Sequence, residues 1–407
     1  MSDTKLTGKN ASLLVGPEPS GAPKANAAAP IIAQVQREFG VHPLKQMREI
    51  VAGRLSARKI GSNEYYDLRL FDPDRSKDEK SAFLGQGATN VMNDAMNPNQ
   101  LVPMRYLVNN KLLYTELLAK LGIQTTTTQA LVSKSIYAGE VTTLRDASAI
   151  KDFLLGAAKY PLFGKPFDGS LSIGSVRIKA LEGGRLELTN GRSLDIEDFA
   201  NEVIQRYPNG YLFQSALQSH AKIAEIAGQA TACIRIVTVN DGEEIRPLYA
   251  VWKLPAPQAM SDNFWQKGSL LALVDIDTGK VRSCRRGTGM ETEWLSQHPE
   301  SGTDLTGHIL PMWSETLDLA CNAHRVFTEF GVCGFDIAVT PESPVIVECN
   351  DNPAHMLYQL ASQRGVRSDD LSPAWDKVIV RQRKRLAQFK QAQKENLQRR
   401  GVRARQH

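Results

Sequence analysis

"GFDIAVTPESPVIVECNDNP", residues 334–353, places two short apolar runs of strand-like composition on either side of a Pro-Glu-Ser-Pro turn. Three positions interrupt its apolar character: Asp336, Glu348 and Asn350. If the runs pair as an antiparallel hairpin, Asp336 lies opposite Glu348, and Asn350 falls two residues further along the same face. Two carboxylates and an amide oxygen converging there suit a hard cation such as Mg²⁺ bridged by phosphates. A one-residue slip in register separates them, and a plain hairpin with a solvent-facing Asp and Glu is the alternative.

Upstream residues add chemistry of the same kind. "FGKPFDGSLSIGSV" (163–176) ends a strand at Lys165 and continues into a small-residue loop through Ser170 and Gly174. Backbone N–H groups in such a loop can approach a phosphate closely, although the G-x-x-x-x-G-K-[ST] pattern is absent. Lys111 heads a helix in "NNKLLYTELLAKLGIQTTTT", where free N–H groups and positive charge both suit an anion. Leu113, Leu117 and Leu121 predict its buried stripe, widened by Leu118, and Gly122 its stop. Arg235 in "CIRIV" and Lys253 in "AVWKL" sit inside apolar strands, so each needs a structural carboxylate or a ligand oxyanion as partner.

Composition bounds the rest. The chain has 407 residues, enough for more than one domain, and no apolar run long enough to span a membrane or act as an export signal. We expect a cytoplasmic protein. Its five cysteines are scattered without a CxxC pair, which fits reduced thiols rather than a disulfide framework or a zinc site. Residues 376–407 carry eleven Lys and Arg against two acids, so this tail holds +9 of a net +5 and leaves the body at −4. The tail reads as a solvated helix or as a surface for nucleic acid, another anionic polymer or lipid. Histidines lack HxH or HxxxH spacing, G-x-S-x-G is missing, and Asp277-Thr278-Gly279 reads as a hairpin turn rather than a calcium loop.

The class is α+β. Residues 1–28 read as a flexible lead-in and 29–104 as a mostly helical N-terminal region. Residues 105–215 and 216–365 follow as two units rich in strands and turn signals, and 366–407 as the basic helical tail.

In their order, these elements resemble the ATP-grasp superfamily. "NKLLYTELLAKLGIQT" is similar to its lysine-led helix, "LFGKPFDGSLSIG" to its second phosphate lysine and glycine loop, "YLFQSAL" to its adenine strand and hinge, and "FDIAVT…VIVECNDNP" to its terminal metal ligands. "QSHAKIAEIAGQATACIRIVTV" and "HPESGTDLTGHILPMW" are similar to its sugar-transfer associated branch. The resemblance implies two α+β subdomains gripping ATP between antiparallel sheets. It implies that Lys111 and Lys165 hold phosphates, that Ser170 through Gly174 close over them, and that Phe213, Gln214 and Leu217 line the adenine site. Asp336, Glu348 and Asn350 would bind Mg²⁺ (or Mn²⁺), Arg235 and Lys253 would face the transferring phosphoryl group, and Asp262, Asn263 and Asn352 would lie near the acceptor. Gln214 stands where the family often has Glu, and the usual arginine two residues before the metal Asp is absent, with Arg235 as its expected substitute.

The implied activity is a ligase that activates a carboxylate as an acyl-phosphate and joins it to an amine, releasing ADP and phosphate. A kinase on the same scaffold and a nucleotide-responsive binding protein with a polymer-binding tail are the alternatives. An oligomer is compatible with the sequence.

Overall fold

The computed structural model describes residue 14 and residues 28–167, 173–228, 230–257 and 259–403. Most of the lead-in, Ser170 and the last four residues of the tail therefore lie outside the described residues.

Among the described residues the strands form two seven-stranded sheets. The first holds Thr128–Val132 (β1), Thr142–Leu144 (β2), Leu162–Pro166 (β3), Val176–Glu182 (β4), Arg185–Leu188 (β5), Ser193–Asp195 (β6) and Tyr211–Ser215 (β7), in the order β2-β1-β7-β3-β4-β5-β6. The second holds Ile234–Asn240 (β8), Ile245–Leu254 (β9), Leu270–Val274 (β10), Val281–Arg286 (β11), Glu293–Trp294 (β12), Val332–Val339 (β13) and Pro344–Asn350 (β14), in the order β12-β11-β10-β9-β8-β13-β14. Pairing is antiparallel apart from β1 with β2.

Period-2 alternation gives the second sheet two faces with different tasks. Ile234, Ile236, Ala250, Trp252, Phe335 and Ile337 point into one core, where the helix Trp313–Val326 also packs. Val237, Val239, Tyr249 and Val251 point the other way, into a core shared with Phe71, Phe83, Met96 and the tail residues Trp375 and Val378. The N-terminal helices and the start of the tail thus cover the second face. Arg235, Lys253 and Asp336 belong to that face by alternation. The tail helix Ser372–Arg403 is anchored through its first half, where Arg385 donates to the Glu329 carbonyl at 3.1 Å, and most side chains from Arg383 to Gln398 are exposed.

The hairpin of β13 and β14 has the register expected from its sequence: Asp336 pairs with Glu348 and Gly334 with Asn350. A bulge follows between Asp336 and Ile337, so Ile337 pairs with Ile346.

One expectation needs correction. The helix Lys111–Lys120 begins at Asn110, whose side chain accepts from the Leu113 N–H at 3.0 Å, and Gly122 adopts φ +75° just past its end. Yet Leu113 and Leu121 are exposed, and the buried residues are Leu112, Tyr114, Thr115 and Leu118. This helix bridges two cores: Leu112 packs with Leu131 and Leu212 of the first sheet, while Tyr114 and Leu118 enter the second sheet's core. A helix buried on two sides has no single stripe for a four-residue repeat to mark.

Candidate functional site

A cavity of about 840 Å³ opens between the sheets, and most residues singled out in the sequence line it. Strand alternation sets the first wall. Phe163 and Lys165 on β3, and Gln214 on β7, face the cavity. Gln214 donates through Nε2 to Thr126 Oγ1 at 2.9 Å, which uses the donor end of its amide. Leu217 lies just past the end of β7, also on the lining. Phe213 does not line the cavity. It lies on the opposite face of β7, fully buried with Phe153, Phe199 and Tyr211, because adjacent strand residues point to opposite sides. Gly174 is also off the lining. Its carbonyl accepts from the Tyr211 hydroxyl at 2.9 Å, and an added Cβ would strike the Tyr207 hydroxyl.

Charged groups concentrate on the second wall. Arg235 pairs with Asp336 across β8 and β13 and donates to both its oxygens, at 2.5 and 2.9 Å. Lys253 donates to Asp336 Oδ2 at 3.0 Å and lies 2.7 Å from Asp262 Oδ2. Burial alone would raise the Asp336 carboxyl, but Arg235 and Lys253 hold it well below the usual carboxylate range. For Lys253, burial is outweighed by Asp262 and Asp336, so its ammonium is held more firmly than in water. Lys165 is different. Burial pulls it down to about 8, and Glu348 offsets only part of that.

Glu348 is half-exposed at the cavity, 3.9 Å from the Lys111 ammonium. Asn350 donates weakly to the Gly334 carbonyl at 3.5 Å. Asp262, Asn263 and Asn352 complete the rim, and the Asn352 side chain accepts from Asn93 at 2.6 Å.

The set Asp336, Glu348 and Asn350 offers oxygen donors only, which is the chemistry Mg²⁺ takes. Among the described residues no group of three or more His, Cys, Asp and Glu stands close enough to hold a metal ion, so the amide belongs to any such set. Glu348 and Asn350 fit directly. Both Asp336 oxygens already accept from cations, so Asp336 joins only by releasing one of those contacts.

Several lining residues escaped sequence reasoning. Arg177 on β4 is buried and donates to the Leu217 carbonyl and to Thr231 Oγ1, both at 2.9 Å, pinning the segment after β7. Its signal was present, since it is a strand-interior arginine like Arg235. Tyr114 donates to the Val347 carbonyl at 2.8 Å. Glu64, Asp67 and Gln86 reach the cavity from the N-terminal helices, and no local pattern marks them.

No curated protein matches the chain. Among solved structures, D-alanine-D-alanine ligase from Coxiella burnetii is similar at 14% identity and TM-score 0.41, covering 74% of this chain and 62% of its own. The D-alanine–D-alanine ligase from Bacillus anthracis gives 12% and 0.39, with 69% of each chain covered. VanG D-Ala:D-Ser ligase from Enterococcus faecalis gives 12% and 0.40, with 68% and 62% covered. This chain thus spans less than two thirds of the Coxiella and Enterococcus proteins. The family described as sugar-transfer associated ATP-grasp matches residues 91–372, a span that contains both sheets and every charged strand residue of the second wall. The chain belongs to the sugar-transfer associated ATP-grasp family.

Proposed function

We propose that this protein is an ATP- and Mg²⁺-dependent carboxylate–amine ligase. The observation that carries the reading is one cavity in which Lys111, Lys165, Arg235 and Lys253 surround the oxygen donors Asp336, Glu348 and Asn350. Four cations suit a polyphosphate and offset its repulsion of an attacking carboxylate. Lys111 and Lys165 bind phosphates, Gln214 and Leu217 contact the base, and Asp262, Asn263 and Asn352 hold the acceptor. Phe213 supports the base site from behind. Ser170 and Gly174 belong to the loop proposed to cover the phosphates. Glu348 and Asn350 would hold Mg²⁺, with Asp336 joining them only by releasing one of its contacts to Arg235 or Lys253, and the ion would supply charge neutralisation.

The substrate carboxylate attacks the terminal phosphorus, forming an acyl-phosphate and ADP. An amine then adds to the acyl carbon and expels phosphate. Arg235 and Lys253, fixed by Asp336, stabilise charge on the transferring group. The chain itself needs no nucleophile, and burial pushes the one thiol beside Lys253, Cys233, well above its ordinary value. The division into a lead-in, an N-terminal helical region, two gripping units and a tail is part of the same proposal, as is a cytoplasmic location.

Purified protein with ATP, Mg²⁺ and pooled carboxylates and amines should release ADP only when both substrate classes are present. Condensed products should appear by mass spectrometry. A product heavier by one phosphoryl group makes the protein a kinase, and nucleotide binding without turnover makes it a nucleotide-responsive binding protein.

A further inference from the structure

The helix Pro43–Leu55 faces the wrong way for an ordinary surface helix. Its apolar residues Leu44, Met47, Val51 and Leu55 are 70%, 55%, 56% and 83% exposed. They recur at spacings of three and four residues, so they form one continuous ridge along the helix. The inward face carries the buried Gln46 and Gly53, with the half-buried Ile50 packed against the core between them.

That orientation is locked. Gln46 is fully buried, donates to the Val41 carbonyl at 2.7 Å and the Ile32 carbonyl at 3.1 Å, and accepts from the Tyr66 hydroxyl at 3.0 Å. Gly53 lies so close to Ile60 that an added Cβ would sit 3.2 Å from the Ile60 Cβ. Rolling the helix to hide the apolar ridge would orphan a buried amide and break this approach. The ridge therefore faces outward by construction, and it asks for a partner.

Charge selects among partners. Lys45, Arg48 and Arg54 flank the ridge and are all exposed. The helix's one acid, Glu49, accepts from the Tyr65 hydroxyl at 2.6 Å. A second copy of this helix laid against the first would bring like charges together. Each of the four side chains is more than half exposed, so they stand out from the helix as a convex ridge rather than lining a groove for a peptide. A convex apolar ridge bordered by cations suits the headgroup and acyl boundary of an anionic membrane, with the helix lying in its plane. We propose that the helix Pro43–Leu55 is a membrane-surface anchor that docks this protein on anionic lipid. The inference does not depend on the ligase reading.

The test is co-sedimentation of the full chain with vesicles of phosphatidylcholine alone, or of phosphatidylcholine with about one third phosphatidylglycerol. The parent should bind the anionic vesicles and bind neutral ones far less. The double variant Val51→Gln/Leu55→Gln should weaken binding by at least about tenfold, with its thermal melting unchanged. Arg48→Glu should weaken binding to anionic vesicles only. The proposal is overturned if the parent does not bind, or if the double variant binds as well as the parent, which would place any lipid contact on the basic tail. Self-association of the parent that the double variant abolishes would assign the ridge to a second copy instead and overturn it too.

Discussion

Lys165 and Lys253 are buried alike, 8% and 6% exposed, on facing walls of one cavity, yet the protein moves them in opposite directions. Lys253 lies within ion-pair distance of Asp262 and Asp336, and its charge is held more firmly than in water. Lys165 makes no ion pair among the described residues, and burial lowers it to about 8. The second wall is internally neutralised. The first holds a cation under desolvation, a state that a bound polyanion would relieve.

The largest expected effect breaks the neutralised wall. Asp336→Ala leaves Arg235 and Lys253 buried with one carboxylate fewer, and chemical denaturation should show a loss of about 3–5 kcal/mol. Next comes the desolvated lysine. Lys165→Met removes a charge without orphaning a partner, so its melting temperature should equal or exceed the parent's, while ATP turnover falls by about a hundredfold. Parallel destabilisation by Lys165→Met and Lys253→Met would erase the difference between the walls.

Titration sharpens the same contrast. A phosphate bound at Lys165 would raise its pKa, so the complex would keep a proton that the free protein loses above about 8. Nucleotide affinity should therefore be full below that pH and decline as pH rises through it. Calorimetry in buffers of different ionisation heat should register proton uptake near pH 8, and Lys165→Met should flatten the profile. Lys253, shifted upward, contributes no such dependence in that range.

A small loss of stability is expected for Glu348→Gln. Its partner Lys111 is 3.9 Å away and the carboxylate is half-exposed, so the change should cost less than about 1 kcal/mol. The Mg²⁺ concentration needed for half-maximal turnover should nevertheless rise.

Much of the site was legible because strands alternate and turns are local. The two apolar runs closed by a short turn marked the hairpin, the structure selects the register that pairs Asp336 with Glu348, and Lys165 and Gln214 fall on the cavity side of their strands. The same alternation, overlooked for "YLFQS", would have placed Phe213 in the core. The leucine stripe of Lys111–Lys120 misled because a bridging helix buries two sides. The outward ridge of Pro43–Leu55 was read only as helix, since periodicity shows that a stripe exists and not which way it faces.

By itself the sequence determined the order of elements, the hairpin and its oxygens, and the lysines ahead of them, because these depend on neighbours within a few residues. Tertiary structure alone decided what those charges are bonded to. Arg235 and Asp336 stand 101 positions apart, and the strand order β9-β8-β13 makes them partners with Lys253 close by. It also decided that the N-terminal helices close the cavity with Glu64, Asp67 and Gln86, since they cover the sheet face that carries the charges. Burial and pairing are properties of packed surfaces, and a buried charge acquires its chemistry only from what packs around it.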